Sequence, residues 1–138
     1  MPTLDFWFDF ASTYSYPAAM RIAPPAAEAG VAVRYRPFLL GPIFKAQGWD
    51  TSPFNLYPAK GRYMVRDCER QCADLGLAFR LPEPFPASSL LASRVALVAL
   101  EEGWGEDVSR AESFSVALLS WPQAARMSRP RGVRTGDE

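Results

Sequence analysis

The stretch from Asp5 to Tyr16, Asp-Phe-Trp-Phe-Asp-Phe-Ala-Ser-Thr-Tyr-Ser-Tyr, constrains the fold more than any other part of the chain. Leu4, Phe6, Phe8 and Phe10 fall on one face, and Asp5, Trp7 and Asp9 on the other. That is the period-two alternation of a strand. Four large apolar groups on one face demand a broad cover, because each gains about 1.5–3 kcal/mol on full burial. Ala11-Ser12 ends the alternation, and the following residues pattern as a helix. The prediction is therefore strand, tight turn, helix, with Ser12 among backbone N–H groups that lack an intrahelical partner. Two readings of Ser12 stay open: an ordinary N-cap, or a place where an anion is held by the helix dipole and direct hydrogen bonds.

Along the chain the pattern predicts a first strand over 3–10 and a helix over 13–23. Pro24-Pro25 breaks or kinks that helix, with one further turn over 26–29 before Gly30. A second strand follows over 31–38, where Val31, Val33 and Tyr35 alternate with Arg34 and Arg36. Strand, helix, strand with short links is a right-handed βαβ unit with parallel strands. Residues 39–58 are punctuated by glycine and proline and carry Phe44, Trp49, Phe54 and Tyr57. They read as a long ordered loop with room for one short helix, either functional or wrapped over a core. A helix over 59–75 has the apolar stripe Met64, Cys68, Cys72, Leu75 and ends at Gly76. A proline-stiffened connector at 81–86 leads to Ser88 or Ser89 as the cap of a helix over 90–102. That helix is apolar nearly all round, which predicts a central place in a helical layer. A third helix is expected over 106–119, stopped by Trp121-Pro122, and then a disordered tail rich in arginine.

At 138 residues, 49% apolar and 22% charged, the chain suits one ordinary globular core. Its formal net charge of zero gives no electrostatic reason to expect nucleic acid, and no apolar run reaches membrane-spanning length. Asp5 and Asp9 stand where a signal peptide needs a basic, then continuously apolar start, so the expected location is cytoplasmic. The absence of histidine excludes Ser-His and Cys-His catalysis, and no zinc spacing is present, so no metal is expected. Cys68 and Cys72 lie one helical turn apart and read as two small buried apolar groups, not as a Cys-x-x-Cys redox pair.

These residues resemble the 2-hydroxychromene-2-carboxylate isomerases, which belong with the kappa-class glutathione transferases and the DsbA-type thioredoxin-fold proteins. The opening stretch carries the likeness, with Arg34-Tyr-Arg-Pro-Phe-Leu-Leu-Gly, Gln47-Gly-Trp, Ser52-Pro-Phe-Asn-Leu-Tyr-Pro-Ala-Lys-Gly-Arg-Tyr-Met, Pro84-Phe-Pro and Ala92-Ser-Arg-Val-Ala-Leu. The resemblance implies an α/β fold: a thioredoxin-like βαβ half over 1–40, an inserted helical domain over 41–120, and an off-family tail over 121–138. Where redox members carry Cys-x-x-Cys, this chain reads Ser12-Thr13-Tyr14-Ser15, which excludes disulfide exchange there. The resemblance instead implies glutathione as cofactor, with the Ser12 hydroxyl donating to its sulfur and lowering the thiol pKa. The implied reaction is thiol-assisted cis–trans isomerisation of a small aromatic ring-cleavage product. Phe44, Lys45, Asn55 and Phe85 are the implied substrate contacts, Lys45 standing one place from a family lysine. A homodimer is left open. For each aromatic, core packing remains the alternative role.

The family's cis-proline strand, hairpin strand and final helix have no match in the chain, so its ββα half is expected to be missing. The chain as given is then expected to show little or no isomerase activity. A kappa-like transferase, another DsbA-family oxidoreductase relative, or a non-enzymatic fragment are the competing readings.

Overall fold

The computed structural model describes residues 1–81, 83, 85 and 88–105. The third helix and the tail expected beyond 105, and much of the proline connector, lie outside the described residues. Among those described, β1 (Thr3–Phe8) and β2 (Ala32–Pro37) pair in parallel, in the register Thr3 to Ala32 and Phe8 to Pro37. They are joined through α1 (Ser15–Arg21) and α2 (Ala23–Glu28), which is the expected βαβ unit. Four helices follow: α3 (Leu40–Ala46), α4 (Pro53–Leu56), α5 (Pro58–Asp74) and α6 (Leu90–Glu101). No described helix is long and apolar enough to cross a membrane.

The core forms where β1 meets α1, α5 and α6. Phe8, Phe10, Tyr16, Ala19, Tyr35, Cys72 and Ala96 are buried together. Phe8 is fully buried, stacked at 5.8 Å on Phe6 and meeting Phe10 and Tyr35 edge-on at 5.2 and 6.2 Å. Edge-on and offset rings satisfy the aromatic quadrupole, so this face is held by shape as well as by area. On the opposite face Trp7 is 61% exposed. Asp5 there accepts hydrogen bonds from Arg34 and Arg36. Desolvation opposes ionisation of Asp5, but the hydrogen bonds and charges of the two guanidinium groups together outweigh it and hold the carboxyl below its usual range.

Several expectations change in the structure. Leu4, placed by its pattern on the core face, is 45% exposed, because the described cover reaches only the C-terminal half of β1. β1 stops at Phe8, two residues early, and Asp9 leaves the polar face to become buried at 2% exposure. Its carboxylate accepts the Ala11 N–H at 2.8 Å, an Asx-type turn that draws the chain out of the strand. The first helix begins at Ser15 rather than Thr13. Pro24 and Pro25 start a second helix instead of merely ending the first, since proline fits the first turn where its missing N–H is not needed. The 39–58 segment holds two helices where one was allowed, α3 and α4.

α6, expected to be central because it is apolar nearly all round, is buried on one side only and through its small residues. Its buried positions are Ser93, Ala96 and Ala99, while Leu91, Leu97 and Val98 are exposed. The reason is close approach to β2, which admits small side chains and excludes large ones. On α5, Cys68 and Cys72 are buried free thiols as expected, and burial pushes both thiol pKa values up, which makes them poor nucleophiles.

Candidate functional site

Three chain segments meet at the Asp9 carboxylate. Oδ1 accepts the Ala11 N–H at 2.8 Å and the Ser89 hydroxyl at 2.5 Å, and Oδ2 accepts the Leu40 N–H at 2.7 Å. The Asp9 backbone carbonyl also accepts the Ser12 N–H at 2.9 Å, closing a turn whose last residue is Ser12. Ser15 N–H in turn donates to the Ser12 carbonyl at 3.1 Å, so the turn runs straight into α1. Ser12 thus stands three residues before the first residue of α1, just ahead of its N-terminus.

Ser89 occupies the N-cap of α6 as expected, but its side chain makes no cap bond. The hydroxyl goes to Asp9 instead. Forgoing a serine cap costs about 1 kcal/mol, and a charge-assisted bond to a buried carboxylate is of comparable or larger size.

Beside this turn lies a cavity of about 640 Å³. Of the residues singled out from sequence, Ser12, Phe44, Lys45 and Phe85 line it together, and so do Trp49 and Phe54. The rings come in two pairs: Phe44 with Trp49 at 5.6 Å, and Phe54 edge-on to Phe85 at 4.8 Å. Lys45 is exposed at this lining. Asn55 does not join the lining; its amide donates to Thr51 Oγ1 at 2.8 Å, and Thr51 is a wall residue. Phe54 is set by a close helix crossing. A Cβ at Gly61 of α5 would stand 2.9 Å from the Phe54 carbonyl oxygen, so α4 can lie this near only over glycine. Asp9, Leu40 and Ser89 also line the cavity and were not picked out from sequence as site residues. The one available signal was an acid inside an apolar strand two residues before a turn.

A second tie joins the start of α1 to α5. The Tyr14 hydroxyl donates to Asp67 Oδ2 at 2.9 Å, and Gln71 donates to the same oxygen at 2.8 Å. Desolvation, and then the Asp67 bond and charge, push the Tyr14 pKa up to about 12. The folded value lies above the unfolded one of about 10. Stability linked to Tyr14 is therefore fully present below pH 10 and is lost as pH rises towards 12. Phenolate absorbance should show a tyrosine titrating well above pH 10, and Tyr14→Phe should remove that step. An unchanged titration in Tyr14→Phe would contradict the assignment.

The family model of the DSBA-like thioredoxin domain matches residues 3–119. The 2-hydroxychromene-2-carboxylate isomerase of Sphingobium xenophagum is 35% identical over 88 residues, covering 62% of this chain and 42% of that protein. Glutathione S-transferase kappa 1 of Caenorhabditis elegans is 37% identical over 71 residues, covering 51% of this chain and 30% of that protein. The chain thus spans less than half the length of either relative. A solved structure of selenomethionine 2-hydroxychromene-2-carboxylate isomerase superposes with a TM-score of 0.53 at 20% identity, covering 99% of this chain and 86% of that one. That likeness is one of fold. With the family match over most of its length and the βαβ unit in place, the chain belongs to the DSBA-like thioredoxin domain family.

Proposed function

We propose that this chain carries the thiol site of a glutathione-dependent cis–trans isomerase acting on a 2-hydroxychromene-2-carboxylate-type aromatic catabolite. In this reading residues 1–40 form the thioredoxin-like half and 41–120 the helical insertion. The observation that carries it is the opening of the Ser12 turn and two aromatic pairs into one cavity. Its volume lies in the range of small-ligand sites, roughly 300–1,000 Å³. Its lining mixes rings with hydroxyls and both signs of charge, Lys45 and Asp50, which fits a zwitterionic thiol tripeptide beside an aromatic ring.

Glutathione, when bound, supplies a thiol that adds to a conjugated double bond and leaves after rotation. The chain's residues do the rest. Ser12 donates a hydrogen bond to the sulfur and favours its ionised form. The two ring pairs stack the substrate and exclude water. Lys45 meets a substrate carboxylate, and Asn55 braces the wall through Thr51. The free thiols Cys68 and Cys72 suit a reducing cytoplasm.

The test is isomerisation of a 2-hydroxychromene-2-carboxylate, with and without glutathione. It is run on the 138-residue chain and on a form extended at its C-terminus with the ββα half of a relative. Turnover should depend on glutathione and should not be supported by S-methylglutathione, which has no thiol. Conjugation of an aryl halide without isomerisation would assign the site to a kappa-like transferase instead. Turnover that ignores glutathione would refute both.

A further inference from the structure

We propose that Asp9 is a positioning residue: its buried carboxylate clamps the Ser12 turn to the Leu40 and Ser89 walls of the cavity and so fixes where the Ser12 hydroxyl stands. The proposal rests on the glutathione reading for its chemical consequence, but the clamp itself stands on geometry alone.

Residues 11, 40 and 89 are far apart in sequence, and their groups converge on the two oxygens of the Asp9 carboxylate, a residue only 2% exposed. All three partners act as donors: two backbone N–H groups and one hydroxyl. Only a group that accepts at both oxygens satisfies them, and an ionised carboxylate is that group. Asparagine has nearly the same shape yet cannot replace it. With its carbonyl towards Leu40, its NH2 faces the Ala11 N–H; turned over, its NH2 faces the Leu40 N–H. Either way one buried donor meets another.

Both carboxylate oxygens are already engaged and Asp9 is only 2% exposed, so it is poorly placed to act as a base towards a ligand. It is well placed to hold the turn. Its carbonyl takes the Ser12 N–H, its carboxylate takes the Ala11 N–H, and its own N–H donates to Ser15 Oγ at 3.3 Å. Asp9, Ala11 and Ser12 are therefore tied to one another within the turn, while Leu40 and Ser89 anchor it from outside. Ser89 does so with a hydroxyl that its position would otherwise direct to the start of α6.

The experiment compares wild type, Asp9→Asn and Ser89→Ala in the full chain. Amide hydrogen exchange is followed by NMR in the ligand-free protein, and the thiol ionisation of bound glutathione is titrated separately. In Asp9→Asn, the amides of Ala11, Ser12 and Leu40 should exchange at least about tenfold faster relative to those of α5. A general loss of stability would speed all of them together. The bound thiol should lose about tenfold in ionisation constant, drifting towards the free-thiol value. Ser89→Ala removes one of the three donors and should move both readouts the same way by a smaller factor. It also decides the matter if Asp9→Asn does not fold. Exchange at Ala11, Ser12 and Leu40 that keeps step with α5 in both variants would overturn the clamp. A thiol titration that neither variant moves, where wild type binds glutathione, would overturn the positioning role. If wild type binds no glutathione, the functional reading fails by itself, and the exchange data alone judge the clamp.

Discussion

Phe8→Ala should lower the free energy of unfolding by about 3–5 kcal/mol, the range for removing a fully buried aromatic ring. Phe8 is fully buried at the C-terminal end of β1 and touches the rings of Phe6, Phe10 and Tyr35. Deleting it leaves a ring-sized void that three aromatic neighbours cannot close without leaving their packing angles. A domain of this kind has about 5–15 kcal/mol in total, so the variant should stand near the edge of folding. Trp7→Ala is the internal control. Trp7 is larger but 61% exposed on the other face, and its truncation should cost far less. Urea denaturation of both variants checks the prediction. A Phe8→Ala cost no greater than that of Trp7→Ala would show that the β1 face is not what holds the described residues together.

The contrast between Phe8 and Trp7 was legible in the sequence, because period two is dictated by the pleat and does not depend on neighbours. The same rule failed one residue later. Asp9 continues the alternation on paper, but its short carboxylate reaches the Ala11 N–H, and that local bond ends the strand before the pattern does. Nothing in the pattern says that Leu40 and Ser89 will arrive at the same oxygens, since those bonds exist only once helices from two other segments are docked. α6 shows the reverse failure. A helix that is apolar all round cannot announce its buried side, and backbone approach to β2 selected Ser93, Ala96 and Ala99. The site divides along similar lines. Ser12, Phe44, Lys45 and Phe85 were proposed through motifs and line one cavity, whereas Asn55, carried by the same kind of argument, is one contact removed from it.

Ser12→Ala should lower glutathione-dependent turnover by about 10²–10³-fold, the effect of deleting one well-placed donor to a developing or resident negative charge. The substitution is clean because the turn does not need the side chain. Ser12 enters it through its N–H, bonded to the Asp9 carbonyl at 2.9 Å, and leaves through its carbonyl, bonded to the Ser15 N–H at 3.1 Å. Alanine keeps both bonds, so stability should change by no more than about 0.5 kcal/mol. What alanine removes is a hydroxyl just ahead of α1, to which the glutathione reading assigns the stabilisation of the ionised sulfur. The titration of the bound thiol should therefore move up in pH, while KM for the aromatic substrate, set by the ring pairs, stays within about threefold. Ser12→Thr retains the donor and should recover part of the loss. The measurements belong on both the 138-residue chain and its C-terminally extended form, so that the ratio is read where turnover is highest. Unchanged turnover and unchanged thiol titration in Ser12→Ala would mean that the sulfur is held elsewhere in the cavity. In that event the backbone N–H groups ahead of α1, rather than the hydroxyl, would have to do the work that this reading gives to Ser12.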